Sequence, residues 1–199
     1  MSNSYRYADN QYIYIDKKTG LLKNLLGISD FDTLVFIESG AVTKRLKELY
    51  DKPFKVKSVS VIFKIHKHLF QDIYSWAGER RLVEISKDGK QFFPISYFDT
   101  ALNYIDSLVS DYHNIPNEDL KKIANKLADI LDHINYLHPF RDGNGRAQRE
   151  FLRLLALEKG LILNLNPIDN SSVYERYMNG TIDSNIELLS DLIYELINT

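Results

Sequence analysis

The segment His138-Pro139-Phe140-Arg141-Asp142-Gly143-Asn144-Gly145-Arg146-Ala147-Gln148-Arg149 brings together residues suited to handling a phosphate. Gly143 and Gly145 flank Asn144 just before a helix start, where the chain can turn tightly and present free N–H groups. Together with the helix dipole, such groups favour a bound anion. Arg146 and Arg149 are three apart, on one face of the first helical turn. Two guanidiniums beside an array of N–H groups suit a polyphosphate better than a single carboxylate. Asp142 is a poor neighbour for an anion unless a magnesium ion bridges carboxylate and phosphate oxygens. His138 completes the set, because an imidazole can accept a proton from an attacking hydroxyl at neutral pH. These residues leave open which phosphate is attacked and whether the nucleophile is water, a small molecule or a protein side chain.

Competing motifs fail on context. The run from Gly143 to Gln148 has two glycines of a dinucleotide fingerprint, but Gln148 replaces the third and a helix, not a strand, precedes it. There is no phosphate loop ending in Gly-Lys-Ser/Thr. His66 and His68 point to different faces of a helix, and neither they nor His133 have zinc-ligand spacing.

The elements that position the segment follow from hydrophobic spacing. Leu120, Ile123, Ala124, Leu127, Ile130, Leu131, Ile134 and Leu137 mark one face of a core helix. It is predicted to start at Asn117 as N-cap and to end near His138, because Pro139 disfavours helical geometry in the residue before it. Further helices are predicted over Asp30 to Tyr50, interrupted by Gly40, Ser58 to Tyr74 with Ser58 as N-cap, Ser96 to His113, and from Gly145 to Glu158, closed by Gly160. Two more are predicted over Ser171 to Met178 and Ser184 to Ile197. A hairpin is expected from Leu82 to Ile85 and Gln91 to Phe93 around Asp88-Gly89. Gln11 to Ile15 reads as extended, without a nameable partner.

Composition sets the outer bounds. A chain of 199 residues with 44% apolar residues and 25 basic against 27 acidic residues is one ordinary globular domain, not a disordered chain. The near-balanced charge argues against nucleic-acid binding, and Lys121, Lys122 and Lys126 read as a solvated helix face. With no cysteine, disulfides, thiolate metal sites and a thiol nucleophile are excluded. No secretory signal and no membrane-length apolar run is visible, so a cytoplasmic location is expected, with secretion lacking a cleaved signal as the alternative.

At every defined position the segment matches His-Pro-Phe-x-Asp/Glu-Gly-Asn-Gly-Arg-x-x-Arg, and the chain therefore resembles the Fic (filamentation induced by cAMP) domain family. Trp76-Ala77-Gly78-Glu79-Arg80, followed by Ile85 to Gly89 and Phe92, resembles that family's approach to its active-site flap, and Thr19 to Asn24 resembles the leader of bacterial members. The resemblance implies a mainly α, single-domain helical bundle with a β-hairpin flap over the active site. One Fic domain is expected over 1–199, with a leader and helix in 1–50, a core in 58–160, the flap at 82–94, the motif at 138–149 and terminal helices in 161–199.

The resemblance further implies transfer of AMP from ATP to a Ser, Thr or Tyr hydroxyl of a target protein. In that scheme His138 is the base, Asp142 holds magnesium, and Gly143, Asn144 and Gly145 form the anion hole. Arg146 contacts the β phosphate, Arg149 the γ phosphate, and Phe140 anchors the loop. The hairpin around Lys87 clamps the target by strand addition, while Lys87, Asp88 and Gly89 serve either as nucleotide or target contacts or only as a tight turn. Family kinases replace Gly-Asn-Gly-Arg with an Ala-Asn-Lys-Arg type of sequence, which this chain does not. Another nucleotide donor, phosphate or phosphocholine transfer, and an idle binding module are the alternatives.

Many family members carry an inhibitory Ser/Thr-x-x-x-Glu-Gly/Asn helix. Only Ser75 with Glu79 and Ser171 with Glu175 have the first spacing here, and each is followed by Arg. Asp191-x-x-x-Glu195-Leu196 is a looser relative. An inhibitory antitoxin supplied in trans is the expected form of control, as in a bacterial toxin–antitoxin pair.

Overall fold

The computed structural model describes residues 5–7, 12–87 and 89–198. Its centre is α4 (Leu120–Leu137), whose Ile123, Leu127, Ile130, Leu131 and Ile134 are completely buried. Around it lie α3 (Phe98–Asn114), α5 (Asn144–Glu158), α6 (Ser171–Ile182) and α7 (Ile186–Ile197). Outside α5 packs α2 (Val61–Phe70), and on α2 packs α1 (Phe31–Asp51). This order places the α4–α5 junction between α2 on one side and α6 on the other.

Several boundaries differ from those expected. Asp119, not Asn117, caps α4: its Oδ1 accepts from Lys122 N–H at 3.2 Å, while Pro116 O accepts from Asp119 N–H in a preceding turn. Asn117 is left to receive the Lys159 ammonium at 3.4 Å. Ser58 does not cap α2. It starts a tight turn in which its carbonyl accepts from Val61 N–H, and its Oγ lies 2.6 Å from Ser60 Oγ. Gly40 does not interrupt α1. The helix expected to stop at Met178 continues to Ile182, and α7, expected from Ser184, starts at Ile186 with Asn185 as its cap.

The hairpin is drawn in toward its turn: the first strand runs two to three residues later than expected and the second one to two residues earlier. Strands β2 (Ile85–Lys87) and β3 (Lys90–Gln91) pair antiparallel, Ser86 opposite Gln91, with Gly89 at φ +82° in the turn; Asp88 lies outside the described residues. The early strand residues are diverted because the Arg81 side chain takes the Val83 carbonyl at 2.8 Å. The late ones peel away because Phe93 N–H donates to Tyr136 O of α4 at 3.0 Å. Strand β1 (Tyr5–Tyr7) adds to the other edge of β2, with Tyr7 opposite Ile85, making a three-stranded sheet. Within the extended segment expected from Gln11, Ile15 bridges to Leu22, while Gln11 itself lies outside the described residues. No described helix is long and apolar enough to cross a membrane.

The cap assignment is testable. Asp119→Ala is expected to cost about 1 kcal/mol of unfolding free energy and Asn117→Ala less than about 0.5 kcal/mol, as measured by urea denaturation.

Candidate active site

Two left-handed residues shape the α4–α5 junction. His138 sits at φ 45°, ψ 61°, ending α4 before Pro139, and Gly143 at φ 79°, ψ 3°, starting α5. A Cβ on Gly143 would lie 2.5 Å from the Phe70 ring and 3.0 Å from His66 Nε2, so both the turn and the close packing require glycine there. Gly145 is different: it has ordinary helical geometry, and a Cβ there would meet Arg149 Nη1 at 3.3 Å. Its lack of a side chain therefore leaves room for the second arginine and does not serve the turn.

The intervening loop is tied down by its own side chains. Asn144 Oδ1 accepts from Phe140 N–H at 3.0 Å, and its Nδ2 donates to Phe140 O at 2.9 Å. The Asn144 side chain is thus used within the loop, and only its backbone N–H remains for an anion. Phe140 is fully buried and stacks on His66 at 3.8 Å between centroids. His66 Nδ1 accepts from Gly78 N–H at 2.9 Å, so its proton is on Nε2, which donates to Asp142 O at 2.9 Å. Burial pushes the His66 imidazole down to about 3, keeping it neutral.

His138 is oriented from three sides. Its Nδ1 lies 3.1 Å from Asn135 O, which places the proton on Nδ1 and leaves Nε2 as an acceptor with no partner among the described residues. Its ring stacks on Phe92 of the flap at 3.8 Å. Its carbonyl accepts from Arg81 Nε at 2.9 Å. The buried Arg81 guanidinium also donates to Val83 O and Phe93 O, one on each arm of the hairpin, and Arg81 N–H donates to Pro139 O at 2.8 Å. One side chain therefore fixes the flap to the histidine. Burial pushes the His138 imidazole down to about 3 as well.

The N–H groups of Asn144, Gly145 and Arg146 precede the first bond of α5, in which Ala147 N–H donates to Gly143 O at 3.1 Å. They line a cleft with two connected compartments. The first, about 490 Å³, is polar and is bounded by His138, Asp142, Gly143, Gly145, Arg146 and Arg149. The second, about 1020 Å³, lies between the flap residues Lys87, Lys90 and Phe92 and the α6 residues Tyr174, Tyr177 and Met178. The structure thus gathers His138, Asp142, Gly143, Asn144, Gly145, Arg146 and Arg149 around the first compartment and places Lys87 on the second.

Asp142 is the one carboxylate among the described residues lining the first compartment. One of its oxygens, Oδ1, accepts from Gly143 N–H, and its side chain is 46% exposed. A single carboxylate beside an anion site fits magnesium, which is bound by one or two carboxylates, water and phosphate oxygens.

The sequence model of the Fic/DOC family matches residues 57–156. This chain belongs to the Fic/DOC family. It is 32% identical to the protein adenylyltransferase VbhT of Bartonella schoenbuchensis over 94% of its own length, but spans only 39% of VbhT. It is 29% identical to a probable protein adenylyltransferase Fic of Salmonella typhimurium, covering 82% of this chain and 80% of the relative. Among solved structures, BepC of Bartonella tribocorum with bound AMPPNP superposes with a TM-score of 0.79 at 22% identity, over 93% of this chain and 96% of that one. The N-terminal Fic domain of an effector from Bartonella sp. AR 15-3 gives 0.83 at 22% identity, over 94% and 92%.

In this Fic/DOC chain Glu195 is engaged elsewhere: its carboxylate takes both Arg176 terminal nitrogens at 2.6 and 2.9 Å. Among the described residues no carboxylate pairs with Arg149, whose guanidinium lies 5.4 Å from the ring centroids of Tyr174 and Tyr177. Sequence reasoning missed Arg81, His66 and Glu38, whose carboxylate accepts from Arg146 Nη1. Two of these carry a signal. Glu38 falls between buried Leu34 and Val42 on the α1 stripe, and His66 falls among Ile62, Leu69 and Phe70 on α2.

The neutral His66 has a consequence for stability. With a folded pKa of about 3 against 6.5 unfolded, the unfolded chain binds more protons between those values, so stability is full above pH 6.5 and declines as pH falls. From pH 7 to 4.5 wild type is expected to lose about 2 kcal/mol more than His66→Gln, read from urea midpoints at the two pH values. Equal losses would mean that His66 is already accessible to protons.

Proposed function

We propose that this chain is a protein adenylyltransferase, transferring AMP from ATP to a hydroxyl side chain of a target protein. The observation that carries this reading is the open Nε2 of His138 at the edge of a compartment walled by the α5 N-terminus and two arginines. The similarity to the protein adenylyltransferase VbhT and to a probable protein adenylyltransferase of Salmonella typhimurium supports it.

In this reading the triphosphate lies in the polar compartment against the N–H groups of α5, with Arg146 on the β phosphate and Arg149 on the γ phosphate. The base and sugar occupy the second compartment, where Tyr174, Tyr177 and Met178 offer stacking and apolar contact. Asp142 would hold magnesium, which when bound neutralises phosphate charge. The target hydroxyl gives its proton to His138 Nε2 as its oxygen attacks the α phosphorus. The bond from that phosphorus to the bridging oxygen breaks, and pyrophosphate leaves. The flap presents the target segment by main-chain pairing, and Lys87 faces the nucleotide compartment.

We further infer control by a small protein supplied in trans that sets a carboxylate against Arg149. The absence of such a carboxylate among the described residues supports this, as does the commitment of Glu195 to Arg176. The chain purified alone is then expected to be active, and Glu195→Gly to change its rate by less than about twofold. An inactive wild type rescued by Glu195→Gly would replace the trans reading with an internal brake.

The reaction is tested with ATP labelled in the α or the γ phosphate, incubated with the purified chain, magnesium and a bacterial lysate. Protein label from the α position alone, abolished in His138→Ala, is expected. Label from the γ position alone would mean phosphoryl transfer, and label surviving in His138→Ala would remove the proposed base. Because burial holds His138 near 3, well below the ordinary 6.5, the base stays neutral through the weakly acidic range. The rate is therefore expected to hold from pH 8 down to about 5.5; an acid limb centred near 6.5 would show the imidazole to be solvated in the working complex.

A further inference from the structure

Arg146 is gripped by a residue outside the stretch 57–156 that matches the family. Its Nη1 donates to Glu38 Oε1 of α1, its Nη2 lies 3.5 Å from Asp142 Oδ1, and its Cζ lies 4.5 Å from the centroid of the Phe70 ring. The other Glu38 oxygen accepts from the Tyr74 hydroxyl, and Tyr74 stacks on Trp76 at 4.5 Å. Both carboxylate oxygens are thus engaged, and the Glu38 side chain is 14% exposed. Glu38 occupies an apolar stripe position between Leu34 and Val42, where an unpaired carboxylate is costly to bury.

The placement separates two roles that a carboxylate on an active-site arginine can have. A brake occupies the space that the phosphate needs. Glu38 does not line the anion compartment, whereas Arg146 does, so Glu38 holds one end of the guanidinium from outside while the rest of the fork faces in. An arginine held in this way loses less freedom on binding phosphate than a mobile one.

We propose that Glu38 is a positioning residue for the diphosphate part of the nucleotide, orienting Arg146 toward the β phosphate and making α1 a working part of the site. Tyr74 fixes Glu38 in turn. The identity of the ligand rests on the adenylyl-transfer reading; the grip on Arg146 does not. A residue with only a structural role would affect all adenine nucleotides alike, whereas this one distinguishes those with a β phosphate.

The test is calorimetric titration of the full chain with AMP, ADP and ATP in magnesium, for wild type and Glu38→Gln, with circular dichroism to check folding. ADP and ATP are expected to bind about tenfold more weakly to the variant and AMP within about twofold, with KM for ATP raised more than kcat is lowered. Equal weakening of all three ligands, unchanged ADP and ATP, or tighter ADP and ATP would each overturn the proposal, the last by showing a brake. If Glu38→Gln does not fold, Tyr74→Phe is expected to show the same selective loss to a smaller degree, and its absence would count equally against the proposal. A wild type that binds none of the three nucleotides defeats the adenylyl reading, and magnesium pyrophosphate then becomes the probe. Weaker binding of pyrophosphate by Glu38→Gln would support the positioning role; equal binding, or none by wild type, would end it.

Discussion

The α4–α5 junction bends twice through left-handed backbone in six residues, once at a histidine and once at a glycine. For a residue with a side chain that conformation costs of order 1 kcal/mol, and the surroundings must hold it in place. Here the hold is a set of hydrogen bonds to the loop's own carbonyls. Arg81 takes the carbonyl of His138, Asn144 takes that of Phe140, and His66 takes that of Asp142. The direction of the His138 ring and the exposure of the α5 N-terminus both follow from this conformation.

The supports come from elements far apart in sequence. Helix α2 supplies His66 and Phe70 under the loop, the approach to the flap supplies Arg81, and α1 supplies Glu38 beside Arg146. Helix α6, beyond the stretch that matches the family, lines the second compartment of the cleft with Tyr174 and Tyr177. The loop therefore carries His138, Asp142 and the start of α5, while the rest of the domain decides where they point. Burial contributes as well, because it keeps His138 neutral and able to accept a proton.

Much of this was legible in the sequence. The apolar spacing of Ile123, Leu127, Ile130, Leu131 and Ile134 required α4, Pro139 required its end at His138, and the types and order of residues from His138 to Arg149 pointed to polar side chains and N–H groups gathered at one helix start, where the structure places them. These features are local: periodicity, backbone sterics and short spacing act over a few residues, and a sequence displays them directly.

Other features depended on segments meeting in space. The sequence shows Glu38 and His66 as polar residues on apolar stripes, yet their partners, Arg146 and Asp142 O, lie 108 and 76 residues away. Asn144 looks like part of the anion hole, but its amide closes the loop because Phe140 folds back onto it. Strand β2 starts at Ile85 because a buried Arg81 competes for the Val83 carbonyl, a competition that strand propensity cannot register. The sequence by itself determined the helices, the loop and its chemical inventory. Tertiary structure decided which nitrogen of His138 is free, which oxygens hold Arg146 and which side chains are consumed in holding the loop, because buried polar groups take the partners that packing brings within reach.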